Sequence, residues 1–207
     1  MNFNSFCQKT LQVAAVFFVS FLLSHPLSAQ TAIDLAGEWQ FQIDREGKGE
    51  QEGWYKDAYQ MEDKILLPAS MPQRLKGDDI SVNTKWVGSL YDSSYFFNPY
   101  MKKYRNPGKD MKLQFFLTPD KYYKGVAWYQ KEVMVPAEWK GERITLYLER
   151  PHIESSVWVN NRKIGMRNSM SVAHEYDLTS VVTPGKKLRI SVRLDNRIET
   201  TINVGPD

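Results

Sequence analysis

"PHIESSVWVNNRKIG", residues 151–165, decides how this chain is read. Val157 and Val159 share one side of an extended segment and Trp158 takes the other, which is the two-residue period of a strand. Asn160-Asn161 follows with two residues that tolerate positive φ at small cost, as a tight hairpin requires. A return strand then starts at Arg162 and is expected to end near Gly165. Trp158 could stack on a sugar, but a single tryptophan inside a strand is expected in the core.

The same period runs outward in both directions. In "LAGEWQFQID", Trp39, Phe41 and Ile43 alternate with Glu38, Gln40 and Gln42. "RITLYLE" sets Ile144, Leu146 and Leu148 against Arg143, Thr145, Tyr147 and Glu149. "LRISVRLD" sets Leu188, Ile190, Val192 and Leu194 against Arg189, Ser191 and Arg193. Each pattern predicts a sheet with one buried and one wet face. Turn signals at Pro136 to Gly141, Asn160-Asn161 and Thr183-Pro184-Gly185 separate the runs, so the expected fold is an antiparallel sandwich or barrel. No segment after residue 29 has a sustained helical face; short helical turns are expected at most around Asp57 to Glu62. The inward residues Trp39, Phe41, Trp128, Ile144, Leu146, Val157, Ile190 and Val192 are predicted to form one core.

The first 29 of the 207 residues read as a secretory signal peptide. Lys9 is their only charge, and an apolar run from Leu11 to Leu23 precedes His25-Pro26 and the small pair Ser28-Ala29. The run is shorter than the roughly 18 apolar residues a membrane span needs, so cleavage after Ala29 and no retained span are expected. The sole cysteine, Cys7, lies within that segment, so residues 30–207 hold none. An exported domain without disulfides must rely on an ordinary apolar core. Export to a periplasmic or extracellular space is the expected localisation. The net charge is +3, with acidic and basic residues interspersed, which argues against a nucleic-acid partner.

Taken in order, "LAGEWQF", "LLPASM", "GVAWYQKEVMVP", "ERITLYLERPHIESSVWVNNRKIG" and "HEYDLTSVVTPGKKLRISVRLDNR" resemble the N-terminal sugar-binding domain of glycoside hydrolase family 2, the β-galactosidase, β-glucuronidase and β-mannosidase family. Leu35, Gly37, Trp39 and Phe41 match its opening strand, and Trp128 and Tyr129 its central strand. Val157, Trp158, Val159 and Asn160 match its hairpin, Asp177, Leu178 and Thr179 a turn, and Gly185 the glycine before the last long strand. Asn161 stands where that hairpin usually has glycine, and Met71 where a tryptophan is common. The resemblance implies an all-β, jelly-roll (galactose-binding-domain-like) antiparallel β-sandwich over residues 30–207, beside an immunoglobulin-like domain and a catalytic barrel carrying two glutamates that hydrolyse with retention. The family's acid/base glutamate follows an asparagine, and no Asn-Glu pair occurs in this sequence. On this reading the domain is shortened at its C-terminal end, after "INVGPD", its partners are a β-glycoside and the missing barrel and immunoglobulin-like domain, and the chain alone is inactive. A carbohydrate-binding module without hydrolysis, or a purely structural domain, are the competing readings.

Local chemistry offers little else. His25 leaves with the signal, and His152 and His174 lack metal-ligand spacing and are expected at the surface or in turns, so no metal site and no cofactor are predicted. Ser155-Ser156 lacks a nucleophile elbow. Glu149 and Glu154 read as a solvated face. The interruption at about residues 78–124 differs: ten aromatics fall between Tyr91 and Tyr123, among Asn, Asp and Arg. Ring faces that stack beside groups that take hydroxyl hydrogen bonds are what sugar recognition uses, although such rings can also cover one sheet as a satellite core. In the resembling family a loop from about this point helps close the substrate pocket. The substrate-facing candidates by region are Asp78, Asp79, Asn83, Trp86, Tyr91, Asp92 and Asn98.

Overall fold

A computed structural model describes residues 31–80, 84 and 119–197. Leu35–Asp207 forms one compact unit; of the separate unit Met1–Asp34, the described residues 31–34 carry no regular secondary structure. In chain order the elements are β1 (Gly37–Asp44), a single helical turn α1 (Gly49–Glu52), β2 (Asp63–Leu67), β3 (Asp78–Asp79) and β4 (Lys121–Tyr122). They continue with β5 (Val126–Met134), β6 (Thr145–Leu148), β7 (Glu154–Val159), β8 (Arg162–Asn168), β9 (His174–Asp177) and β10 (Lys187–Asp195).

Six strands make an antiparallel sheet in the order β2-β1-β5-β10-β7-β8, and β6 pairs with β9 in a second sheet. The fold is therefore the expected antiparallel β-sandwich, with hardly any helix. Two-residue alternation explains the layer between the sheets. Phe41 pairs with Tyr129, Tyr129 with Val192 and Val192 with Val157, so one row of side chains crosses four strands on the face toward β6 and β9. All eight predicted core residues are buried, but they do not form one core: Trp128, the neighbour of Tyr129 in a two-residue alternation, faces away from β6 and β9 and packs on the outer side of the large sheet.

The expectation of one wet face fails on the central strands. Every residue from Val126 to Gln130 is buried, as are Ser155 to Val159, and the polar Gln130, Ser156 and Ser191 are enclosed with them. The cause is residues 48–61, which have neither a strand nor a helix period yet lie across the outer face. Trp54 tilts against Trp128 (centroids 6.4 Å) and stacks on Tyr59 (5.2 Å), while Tyr55 stacks on Trp158 (5.3 Å). Trp54, Met61, Val126, Trp128 and Trp158 form a second core on this side. Polar groups beneath the cover are answered: Gln130 Nε2 donates to Trp54 O (2.7 Å) and Ser191 Oγ (3.0 Å).

The turn at Asn160-Asn161 has φ of 45° and 72°, the left-handed pair a two-residue hairpin needs. Beyond it β8 runs to Asn168, past the expected end at Gly165, because it pairs with β7 back to Glu154, and a β-bulge between Val157 and Trp158 adds one residue. His174 also departs from expectation: it is buried on β9 between the sheets. Its Nε2 donates to Ser169 O (3.3 Å), so Nδ1 accepts from Ser155 Oγ (2.6 Å), and Tyr176 OH donates to Ser155 O (2.8 Å). Glu154, read as solvated, pairs with Arg193 (2.9 Å). Among the described residues single helical turns form at α1, Pro72–Arg74 and Ala137–Trp139, none of them within Asp57 to Glu62.

Candidate functional site

One end of the large sheet gathers the C-terminal ends of β1 and β10 and the N-terminal ends of β5 and β7, since all these pairings are antiparallel. The interruption at residues 78–124 leaves from this end. Its two ends meet as a two-stranded stem, Asp78 opposite Tyr122 and Asp79 opposite Lys121. Arg45, the first residue beyond β1, pairs with Asp78 (2.7 Å), and Lys121 pairs with Asp79 (2.7 Å). Gly77 has φ of 123°, and a Cβ there would lie 2.8 Å from the Tyr122 carbonyl, so the stem closes only over a glycine.

Behind the stem the chain is fastened from three sides. Tyr123 OH donates to the buried Asp44 carbonyl (3.2 Å), and the Arg45 guanidinium sits 5.6 Å from the Tyr123 ring centre. Asn196 Nδ2 donates to Tyr123 O and its Oδ1 accepts from Gly125 N, both at 2.8 Å. Arg193 lies between Glu154 (2.9 Å) and Asp195 (3.3 Å), and Arg197 Nε donates to Asp195 Oδ1 (2.8 Å). Burial pushes the Asp195 carboxyl up, but hydrogen bonds and charge from Arg197, aided by Arg193, outweigh it and hold the group below the usual carboxylate range. Burial raises Tyr123 despite the opposing Arg45, keeping its hydroxyl a proton donor. The cluster is a rigid, charge-satisfied platform at the mouth of the insertion. Within it Asp195 is spent on arginines, and the described carboxylates form no group able to hold a metal ion.

Of the seven candidates, Asp78 and Asp79 are exposed residues of the stem, and each is engaged by a cation. Asn83, Trp86, Tyr91, Asp92 and Asn98 lie outside the described residues. Arg45, Tyr123, Asp195, Asn196 and Arg197 were not singled out from the sequence. The signal for the last three was the end of the last long strand, "VRLDNR", where Arg193, Asp195 and Arg197 recur at period two on one face.

Residues 113–202 match the family model described as "Glycosyl hydrolases family 2, sugar binding domain". A curated β-glucuronidase of Paenibacillus borealis is 23% identical over 163 residues, which is 79% of this chain but 21% of that protein. A β-glucuronidase of Bacteroides fragilis is 29% identical over 75 residues, 36% of this chain and 11% of its own length. Among solved structures, β-glucuronidase from Ruminococcus gnavus in complex with D-glucaro 1,5-lactone superposes with a TM-score of 0.57 at 20% identity, covering 85% of this chain and 24% of that one. Its apo form gives 0.56 at 20%, covering 83% and 23%. The chain thus spans about a fifth of the length of the first of these curated relatives.

Proposed function

We propose that this chain, which carries a sugar-binding domain of glycoside hydrolase family 2, serves as the N-terminal sandwich of an exported retaining β-glycosidase whose hydrolytic barrel belongs to another part of the parent protein. The observation that supports this most directly is the stem at Asp78–Asp79 and Lys121–Tyr122, rooted on the Arg45, Tyr123 and Asn196 platform. This root stands at one end of the sheet, and the aromatic-rich sequence between its two strands offers the residue types for one wall of a sugar pocket completed by a second domain. The matched relatives are β-glucuronidases, which makes a β-glucuronide the first substrate to try. Export rests on the signal-like residues 1–29.

Retaining hydrolysis needs two carboxyl groups roughly 5 Å apart across the scissile bond. The described sandwich ties Asp78, Asp79, Glu154 and Asp195 to cations instead. The isolated chain is therefore expected to leave nitrophenyl β-glucuronide, β-galactoside, β-mannoside and β-glucoside intact, while the parent protein hydrolyses one of them with retention. Turnover by the isolated chain, abolished by one Asp or Glu substitution within it, refutes the assignment.

A further inference from the structure

The outer face of the large sheet holds a groove of about 510 Å³ at the end away from the insertion, bordered by Gln40, Tyr59, Gln60, Gln130, Glu132 and Arg189. Its size falls within the roughly 300–1,000 Å³ of small-molecule sites. The walls are held in place before any ligand arrives. Tyr59 is stacked on Trp54 with its planes 13° apart, and its hydroxyl donates to Gln42 Oε1 (3.0 Å). Arg189 is fixed by Asp57 O (2.6 Å) and Glu132 (3.1 Å). Gln130 is 3% exposed and spends its Nε2 on Trp54 O and Ser191 Oγ, which leaves its carbonyl as the side-chain acceptor for the groove.

Charge selects the ligand class. Glu38 is neutralised by Lys64 (2.7 Å) and Glu132 by Arg189 (3.1 Å), so the groove has no net charge to attract an anion or a cation. What it offers is amides, a carboxylate and guanidinium pair, and a fixed aromatic ring, which suits a ligand with many hydroxyls and an apolar ring face. We propose that this groove is a carbohydrate site in its own right, taking a neutral disaccharide unit and separate from the platform at the insertion. The inference stands whether or not the parent hydrolyses a β-glucuronide.

The test is a heteronuclear NMR titration of the isotope-labelled chain with cellobiose, with lactose and, separately, with D-glucuronate. The expected result is a saturable shift of the Gln40, Gln60 and Gln130 side-chain amide signals with a disaccharide and none with glucuronate at equal concentration. Gln40→Ala should weaken the disaccharide about tenfold, the equivalent of one hydrogen bond or two. The unsubstituted protein carries the test by itself if that variant fails to fold. No saturable shift at these amides, shifts confined to residues 78–124, an equal response to glucuronate, or a sugar-free signal that changes on dilution because a second copy fills the groove would each overturn the proposal.

Discussion

Asp44→Asn is the sharpest perturbation of the cover over residues 48–61. Asp44 is 3% exposed, and its carboxylate accepts three N–H groups: Lys48 N on Oδ1 (3.0 Å), and Gly49 N (2.8 Å) and Trp128 Nε1 (3.1 Å) on Oδ2. Both oxygens face donors, so an asparagine must point its NH₂ at an N–H whichever way it turns. The cheaper orientation gives up the Lys48 bond, which is part-buried, and turns the other two from charge-assisted into neutral bonds. Charge-assisted bonds contribute about 1.5–3 kcal/mol and neutral ones about 0.5–1.5, so the total loss is about 5 kcal/mol. For a domain of this size that lowers the melting midpoint by about 10–20 °C. Thermal unfolding followed by circular dichroism measures it, and tryptophan fluorescence should change early because Trp54 belongs to the cover and Trp128 and Trp158 lie beneath it. A variant within about 0.5 kcal/mol of the parent, the level of an ordinary surface change, would refute the assignment of that carboxylate as an obligate triple acceptor. Gly49→Ala tests the same joint sterically, since a Cβ there would lie 2.5 Å from Trp128 Nε1.

The remaining expectations concern the hairpin, the space between the sheets and pH. Asn161 accepts from Asp57 N (2.8 Å) and donates to Asp57 Oδ2 (3.0 Å), so Asn161→Gly should lose about 1 kcal/mol of exposed hydrogen bonding, and Asn161→Ala a further 1 kcal/mol or so for a Cβ at φ 72°. Equal midpoints for the two variants would sink that division. Leu146→Ala should cost about 2–5 kcal/mol in chemical denaturation, because Leu146 is 3% exposed between the sheets; an unchanged midpoint would contradict the face assignment. Burial, reinforced by the Arg167 charge and opposed by Ser169 O, lowers the His174 pKa. The unfolded chain then binds the proton first, so this contribution is complete above about pH 6.5 and is lost as pH falls toward the folded value. Melting midpoints should decline below about pH 6.5 in the parent and less so in His174→Asn; parallel curves would remove His174 as the cause.

Strand identity was legible because Trp39, Phe41, Leu146, Ile190 and Val192 alternate with polar neighbours, and alternation reports which side of a strand is apolar. It does not report what covers the polar side. Ser191 reads as wet, yet it is buried beside Gln130 because residues 48–61 supply the carbonyls Tyr55 O and Trp54 O to this pair, and a segment held by its aromatics and by single hydrogen bonds has no period to detect. His174 escaped for the same reason: its partners Ser155 and Ser169 are 19 and 5 residues away, and their meeting depends on how β7 and β9 are stacked. The insertion was visible as a break in the pattern, but its stem of two residues on each side is too short to show a period.

The departure from the family hairpin has a physical reason in the same cover. A glycine at residue 161 would supply the positive φ but no side chain, whereas Asn161 supplies both and reaches Asp57, 104 residues earlier. Lys163, on the return strand, adds a bond to Glu50 (2.7 Å), so the hairpin fastens residues 48–61 at one end of the sheet while Asp44 fastens them at the other. Asp44 and Arg45 then divide the work at the insertion end. The Asp44 carboxylate serves the cover, its carbonyl receives Tyr123, and Arg45 holds Asp78 of the stem. Because the Asp44 carbonyl survives an Asp44→Asn change, that variant should loosen the cover and leave the stem in place. Arg45→Ala should do the reverse, and at small energetic cost, since the pair it breaks is exposed. Two neighbouring residues thus give separate control over the sheet's outer face and over the wall proposed to meet the sugar.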